Sequence, residues 1–151
     1  MGDVVLRDLL DEAGLAGAVT VDSAGTGSWH VGDGADPRTV RTLASHGHDG
    51  SRHVAQQFTP GWFDGRDLVL AADSGHVQTL AALARTDQER ARIRLLREFD
   101  PAAVASGDLE TADPWHGDAT DFERCYREVE AACHGLVAQL RARLDRSETH
   151  P

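Results

Sequence analysis

The chain of 151 residues predicts an α/β fold, a parallel sheet flanked by helices on both faces. Two observations carry that expectation. Segments with helical spacing alternate with strand-like segments along the chain, the order that builds parallel sheets. The clearest strand candidate is a short apolar run without polar alternation, as in strands buried on both faces.

The elements follow in order. Residues 3 to 13 set Val5, Leu6, Leu9, Leu10 and Ala13 at helical spacing, with Gly14 as a stop. Ala18 to Asp22 (AVTVD) reads as a short buried strand running into the glycine-rich loop Ser23-Ala24-Gly25-Thr26-Gly27. Pro37 opens a second helix through about Ser45. Residues 66 to 72 (RDLVLAA) form a second strand, followed by a helix from about Ser74 to Ala84. After the charged stretch Asp87 to Arg92, Ile93 to Leu96 is a third strand, and Phe99 to Gly117 is a loop with two Asp-Pro pairs. From 119 to 144 an apolar stripe including Phe122, Cys125, Tyr126, Val129, Cys133, Leu136 and Leu140 marks a long closing helix, with Thr120 and Glu123 as a capping box. Residues 145 to 151 make a polar tail, so residues 1 to 144 are expected to form one domain.

Composition narrows the function. A formal charge of -10 repels a phosphate backbone, so nucleic acid is not an expected partner. All 15 basic residues are arginine, which removes a Walker-type phosphate loop and Schiff-base chemistry, both of which need lysine. No apolar run reaches the roughly 18 residues of a membrane span, and the first residues lack signal-peptide character. No membrane partner is expected, and the cytoplasm is the expected compartment.

Most motif candidates have plain structural readings. Gly25-Thr26-Gly27-Ser28-Trp29-His30 lacks the third glycine of a dinucleotide site and reads as a turn. His46, His48 and His53 have no fourth ligand at a recognisable spacing, so no metal is assigned. Cys125 and Cys133 lie on the apolar stripe, where cysteine behaves as a small hydrophobe, and one helix separates them by about 12 Å, beyond disulfide reach. No cofactor is expected. Asp113-Pro114-Trp115 is more informative. Proline restricts the preceding aspartate to extended backbone, which fixes where its carboxyl points, and the indole supplies an apolar wall. Those are the requirements of a placed general acid.

Four segments, VDSAGTGSWHVG (Val21 to Gly32), SRHVAQQFTP (Ser51 to Pro60), DLVLAAD (Asp67 to Asp73) and DPWHGDATDFERCY (Asp113 to Tyr126), together resemble the low-molecular-weight protein tyrosine phosphatases in order and spacing. The resemblance runs from about Asp3 to about Leu140. It implies a flavodoxin-like, four-stranded parallel sheet and hydrolysis of phosphotyrosine, in a protein or a small aryl phosphate, through a cysteinyl-phosphate intermediate. In that family a Cys-x5-Arg loop between the first strand and first helix supplies the thiolate and cradles the phosphoryl oxygens. By the same resemblance Asp113 matches the acid that protonates the leaving phenolate. Trp115 and Trp29 wall the substrate pocket, Ser23 steadies the phosphate loop, and His53 with Asp73 forms a supporting pair.

The sequence departs from the family pattern at its start. Met1 to Leu6 correspond to the stretch just after the Cys-x5-Arg-Ser-Pro segment, and no Cys-x5-Arg occurs among the 151 residues. The expectation is therefore a fold without the first strand and phosphate loop, inactive as it stands. Where the family often carries two adjacent tyrosines after the Asp-Pro, this chain has Trp115-His116. The alternatives are a non-catalytic phosphate- or phosphoprotein-binding module and an arsenate reductase, which needs redox cysteines that residues 1 to 124 lack.

Overall fold

In the computed structural model, which describes residues 1–149, the sheet is the reference for everything else. Strands β1 (Val69–Ala71) and β2 (Ile93–Leu95) run parallel, with Val69 opposite Ile93 and Ala71 opposite Leu95. Strand alternation sends successive β1 side chains to opposite faces. Val69 and Ala71 join Phe58, Phe63, Leu80 and Ala84 on one side, whereas Leu68 and Leu70 pack against the larger cluster on the other. Helices therefore cover both faces, as the apolar run predicts.

The larger cluster is built by α1 (Gly2–Glu12), α2 (Pro37–Ser45) and α6 (Ala119–Glu148). Val5 and Leu10 of α1, Leu43 of α2, and Tyr126, Cys133 and Leu136 of α6 are almost wholly buried there. On the other face lies α3 (Ser74–Leu83), which with the short α4 (Asp87–Ala91) makes the crossover between the strands. A 3₁₀ turn, Leu96–Phe99, follows β2 and leads to α5 (Pro101–Ser106). Helix α6 crosses this turn at Gly135, where an added Cβ would overlap the Phe99 carbonyl oxygen and lie 2.8 Å from its carbon. Only glycine permits that approach. No helix among the described residues is long and apolar enough to cross a membrane.

Four expectations change. Residues 18 to 22 form no strand, because a strand needs a ladder and none of the described residues supplies one. Val19 N–H instead turns back onto the Leu15 carbonyl at 3.1 Å, and the Val21 carbonyl accepts from the Arg7 guanidinium at 3.1 and 3.2 Å. Val19 and Val21 still pack against the larger cluster, and Arg66 at the entrance to β1 pairs with Asp22. The α6 capping box is Asp118 with Asp121 rather than Thr120 with Glu123, since Thr120 already lies inside the helix. That helix continues through residues 145 to 148, beyond the end the apolar stripe suggests. Finally, α5 interrupts the expected loop of residues 99 to 117. Asp100 caps it, Pro101 opens it, and Gly107 at φ 77° closes it.

Candidate active site

The loop that carries Asp113, residues 108 to 118, is fixed from its stem outward. Buried Thr111 donates its N–H to the Ala72 carbonyl at 2.8 Å, which holds the loop at the C-terminal end of β1. Glu110 accepts from the Ser74 N–H at 2.8 Å, and the Glu110 carbonyl accepts from Arg97 at 2.8 Å. The Asp113 carboxylate is exposed and accepts the Trp115 N–H at 3.0 Å, so the backbone after Pro114 folds back onto that carboxylate. Gly117 N–H then closes a turn on the Pro114 carbonyl at 2.8 Å. At the far end the Asp118 and Asp121 side chains cap each other's N–H at 2.9 and 3.1 Å, carrying the loop directly into α6. A side chain at Gly117 would lie 2.6 Å from the Asp121 Cβ, so the handover requires glycine.

The Trp115 indole is 51% exposed and lies over its neighbours rather than in the core. Its ring is 6.3 Å from that of His30, and the Arg38 guanidinium stands 5.5 Å from its centroid. Trp29 is 80% exposed and sits next to His30 in the chain, in a loop pinned to residues 55 to 58. Gly25 N–H bonds the Gln56 carbonyl at 2.8 Å, and Gly32 N–H bonds the Ala55 carbonyl at 2.9 Å. The ring that meets Trp115 is that of His30, not Trp29.

Ser23 and His53 meet on a residue that sequence reasoning overlooked. The Ser23 hydroxyl donates to Asp3 Oδ2 at 2.9 Å, and His53 Nδ1 approaches the same oxygen at 3.4 Å. Arg7 stands 3.6 Å away, and the Met1 ammonium is 3.6 Å from Oδ1. Asp3 lies in the first turn of α1, and its side chain is only 4% exposed. Burial pushes its carboxyl upward. In the 151-residue chain the terminal ammonium, the Ser23 hydroxyl, His53 and Arg7 outweigh that, holding it below the ordinary 3.8. A depressed carboxylate contributes stability above its ordinary range and loses it as pH falls through the folded value. Asp3→Asn is therefore expected to flatten the acid side of the stability-against-pH curve below pH 3.8, as followed by circular dichroism. An unchanged acid limb would count against this account.

Asp73 does not pair with His53. Its side chain accepts the His76 N–H at 2.8 Å as the cap of α3, with His76 Nδ1 at 3.2 Å. It stands where β1 ends, one residue beyond the carbonyl that holds the Asp113 loop. The other histidines of the sequence cluster are also engaged elsewhere. His48 bridges Asp8 at 2.6 Å and the Tyr126 hydroxyl at 3.0 Å, and Tyr126 donates onward to Glu130 at 2.6 Å. His46 stacks on the Tyr126 ring at 3.9 Å.

Neither cysteine is placed to attack a substrate. Both are buried in α6, where burial pushes the Cys133 thiol up to about 12 and raises Cys125 as well. A nucleophile requires thiolate, and these sites suppress it near neutrality.

The family described as low molecular weight phosphotyrosine protein phosphatase matches residues 1–146. A low molecular weight protein-tyrosine-phosphatase of Streptomyces coelicolor is 49% identical over 145 residues, which cover 96% of this chain and 87% of the relative. Low molecular weight protein-tyrosine phosphatase A of Mycobacterium tuberculosis is 38% identical, covering 97% of this chain and 86% of the relative. Among solved structures, a protein tyrosine phosphatase from Entamoeba histolytica shares the fold at a TM-score of 0.86 and 24% identity, over 93% of this chain and 87% of that one. By the family match over residues 1–146 and these relatives, the chain belongs to the low molecular weight phosphotyrosine protein phosphatase family.

Proposed function

We propose that these residues form the proton-donating and substrate-walling side of a phosphotyrosine monoester hydrolase, whose attacking cysteine and phosphate loop are supplied from outside them. Asp113 is the general acid, and Trp115 and Trp29 wall the aromatic leaving group. Ser23 and His53, joined through Asp3, brace the N-terminal end of α1, where a phosphate loop would enter. Asp73 fixes the β1–α3 junction beside the acid-loop stem. The substrate is a phosphotyrosine-containing protein or a small aryl phosphate.

One observation carries this reading. The Thr111 bond to Ala72 sets the acid loop at the C-terminal end of β1, the end at which open α/β sheets bind their ligands. A strand seated between residues 18 to 24 and the free edge of β1 would give both segments a partner and lead through a Cys-x5-Arg loop into α1. In that arrangement thiolate attacks phosphorus and the bond to the phenolate oxygen breaks. Asp113 protonates that oxygen, whose ordinary pKa is about 10. Water then cleaves the cysteinyl phosphate to release inorganic phosphate.

Hydrolysis of phenyl phosphate by the 151-residue chain, and by a version extended through an upstream Cys-x5-Arg, tests the proposal. Turnover is expected only in the extended form. There, Asp113→Asn is expected to lose about 10²–10⁴-fold, the usual contribution of a placed acid. Turnover by the shorter chain, or full activity in the extended Asp113→Asn variant, overturns the assignment. A second reading rests on α1 beginning without a side-chain cap, which leaves N–H groups free to meet an anion. Saturable phosphotyrosine binding together with an inactive extended form would favour that non-catalytic module.

A further inference from the structure

Every bond that shapes the acid loop between Asp113 and Asp121 is made within the loop or to the helix it enters. Such bonds give the loop a form. They do not hold its outer end against the rest of the molecule. Beyond the stem at Thr111, that requires a contact from another element.

Helix α2 supplies one. Asp36 caps the helix by accepting the Arg38 N–H at 2.8 Å, and the same carboxylate takes the Arg38 side chain through Nε at 3.2 Å and Nη2 at 2.9 Å. A guanidinium gripped at two nitrogens is a fixed plate rather than a flexible cation. That plate stands 5.5 Å from the Trp115 centroid and 4.7 Å from the Phe122 centroid, distances at which a cation is drawn to an aromatic face. One guanidinium thus touches a ring in the loop and a ring in the first turn of α6. The Asp36 bond holds Arg38 above its ordinary value, and the Asp113 charge adds to the effect.

We propose that Arg38, clamped by Asp36, is the positioning residue of the proton-donor loop: it ties Trp115 to α2 and so fixes where Asp113 presents its proton. The role rests on the assignment of Asp113 as acid. Its structural part is independent of turnover. His30 makes a looser approach to the same ring from the opposite loop and has no comparable clamp, since its partner Asp33 is exposed.

Backbone ¹⁵N relaxation on the 151-residue chain tests the proposal without any catalysis. In Arg38→Ala the order parameters of the Trp115, His116 and Gly117 N–H groups are expected to fall from about 0.85, typical of rigid backbone, to below about 0.6. Thr111 and the capped turn at 118 to 122 should keep their values. Asp36→Asn retains an acceptor for the helix cap but loses the carboxylate, so it should loosen the same three residues to a smaller degree. That variant decides the matter if Arg38→Ala does not fold. Unchanged order at 115 to 117, or a loss spread evenly through α2 and α6, overturns the proposal.

The catalytic counterpart is a leaving-group split in the extended form. Arg38→Ala should slow phenyl phosphate, which needs the acid, by a large part of the about 10²–10⁴-fold an acid supplies, while sparing dinitrophenyl phosphate, whose phenolate leaves unaided. Equal slowing of both overturns the positioning role. Absence of turnover in the unsubstituted extended chain would instead count against the hydrolase assignment and leave the relaxation result standing.

Discussion

Gly135→Ala is expected to destabilise the fold, although the same change would stabilise an isolated helix. Alanine gains about 1 kcal/mol over glycine in a helix interior. At this position the new methyl group overlaps the Phe99 carbonyl oxygen, a backbone atom at the end of a 3₁₀ turn that cannot rotate aside. Helix and turn must separate, and Phe99, Val129, Cys133 and Leu136 would lose close packing in the larger cluster. Overpacking of a core costs 1–3 kcal/mol and occasionally more, and a backbone clash belongs at the upper end, about 3 kcal/mol. The net loss of about 2 kcal/mol corresponds to a melting temperature lower by about 4–8 °C for a domain of this size. Calorimetry on the two chains measures it. An unchanged or raised melting temperature would mean that the α6 approach to the turn is looser than described.

Asp3→Ala should have a comparable or larger effect by a different route. Its side chain is 4% exposed and accepts from Ser23 while facing His53 and Arg7. Removing one member of a buried ion pair costs about 3–5 kcal/mol because the partner is left uncompensated. Arg7 is half exposed here and His53 partly so, and water can recover both, which reduces the expected loss to about 2–3 kcal/mol. Asp3→Asn keeps an acceptor for the Ser23 hydroxyl and should fall between Asp3→Ala and the unsubstituted chain. Urea midpoints in that order would support the account. Equal midpoints for all three would show that the buried carboxylate contributes nothing net.

The parts of this fold that were legible in the sequence are those whose signals are local. Helix α2 begins at Pro37 and ends at Ser45 as read, because an Asp-Pro start and a Gly47 stop act within one turn of the chain. The closing helix was visible in its apolar stripe. Residues 18 to 22 were not, since the same β-prone letters need a ladder that only tertiary structure can supply. Helix α5 did announce itself through Asp100, Pro101 and Gly107, but its six residues bury only Ala103, too little to show as a stripe.

The site divides along the same line. Asp113-Pro114-Trp115 is a contiguous motif whose constraint is written in its own proline. In the sequence Asp3 is one acidic residue in the first turn of a helix, and its burial with Ser23 and His53 depends on residues 20 and 50 positions away. A signal was available, since Val4, Val5 and Leu6 beside it are all core residues and leave a neighbouring acid little access to water. The expected pairing of His53 with Asp73 came from a resemblance rather than from local chemistry, and in this chain each has a different partner. Arg38 gave no signal at all. An arginine after an Asp-Pro reads as a solvated first turn.

The Asp113 loop is tied at its stem by Thr111 and Ala72 and runs at its far end into the Asp118–Asp121 box of α6. For a hydrolase of the kind proposed, that has a consequence in time. Many enzymes spend microseconds to milliseconds of each cycle closing a flap over the substrate, and opening it again can limit the rate. A proton donor whose loop is tied at its stem and held at Trp115 by the clamped Arg38 has no such stroke to make. In such an enzyme the chemical step would follow binding directly on that side, and any slow rearrangement would have to come from another segment, such as the loop that carries the exposed indole of Trp29.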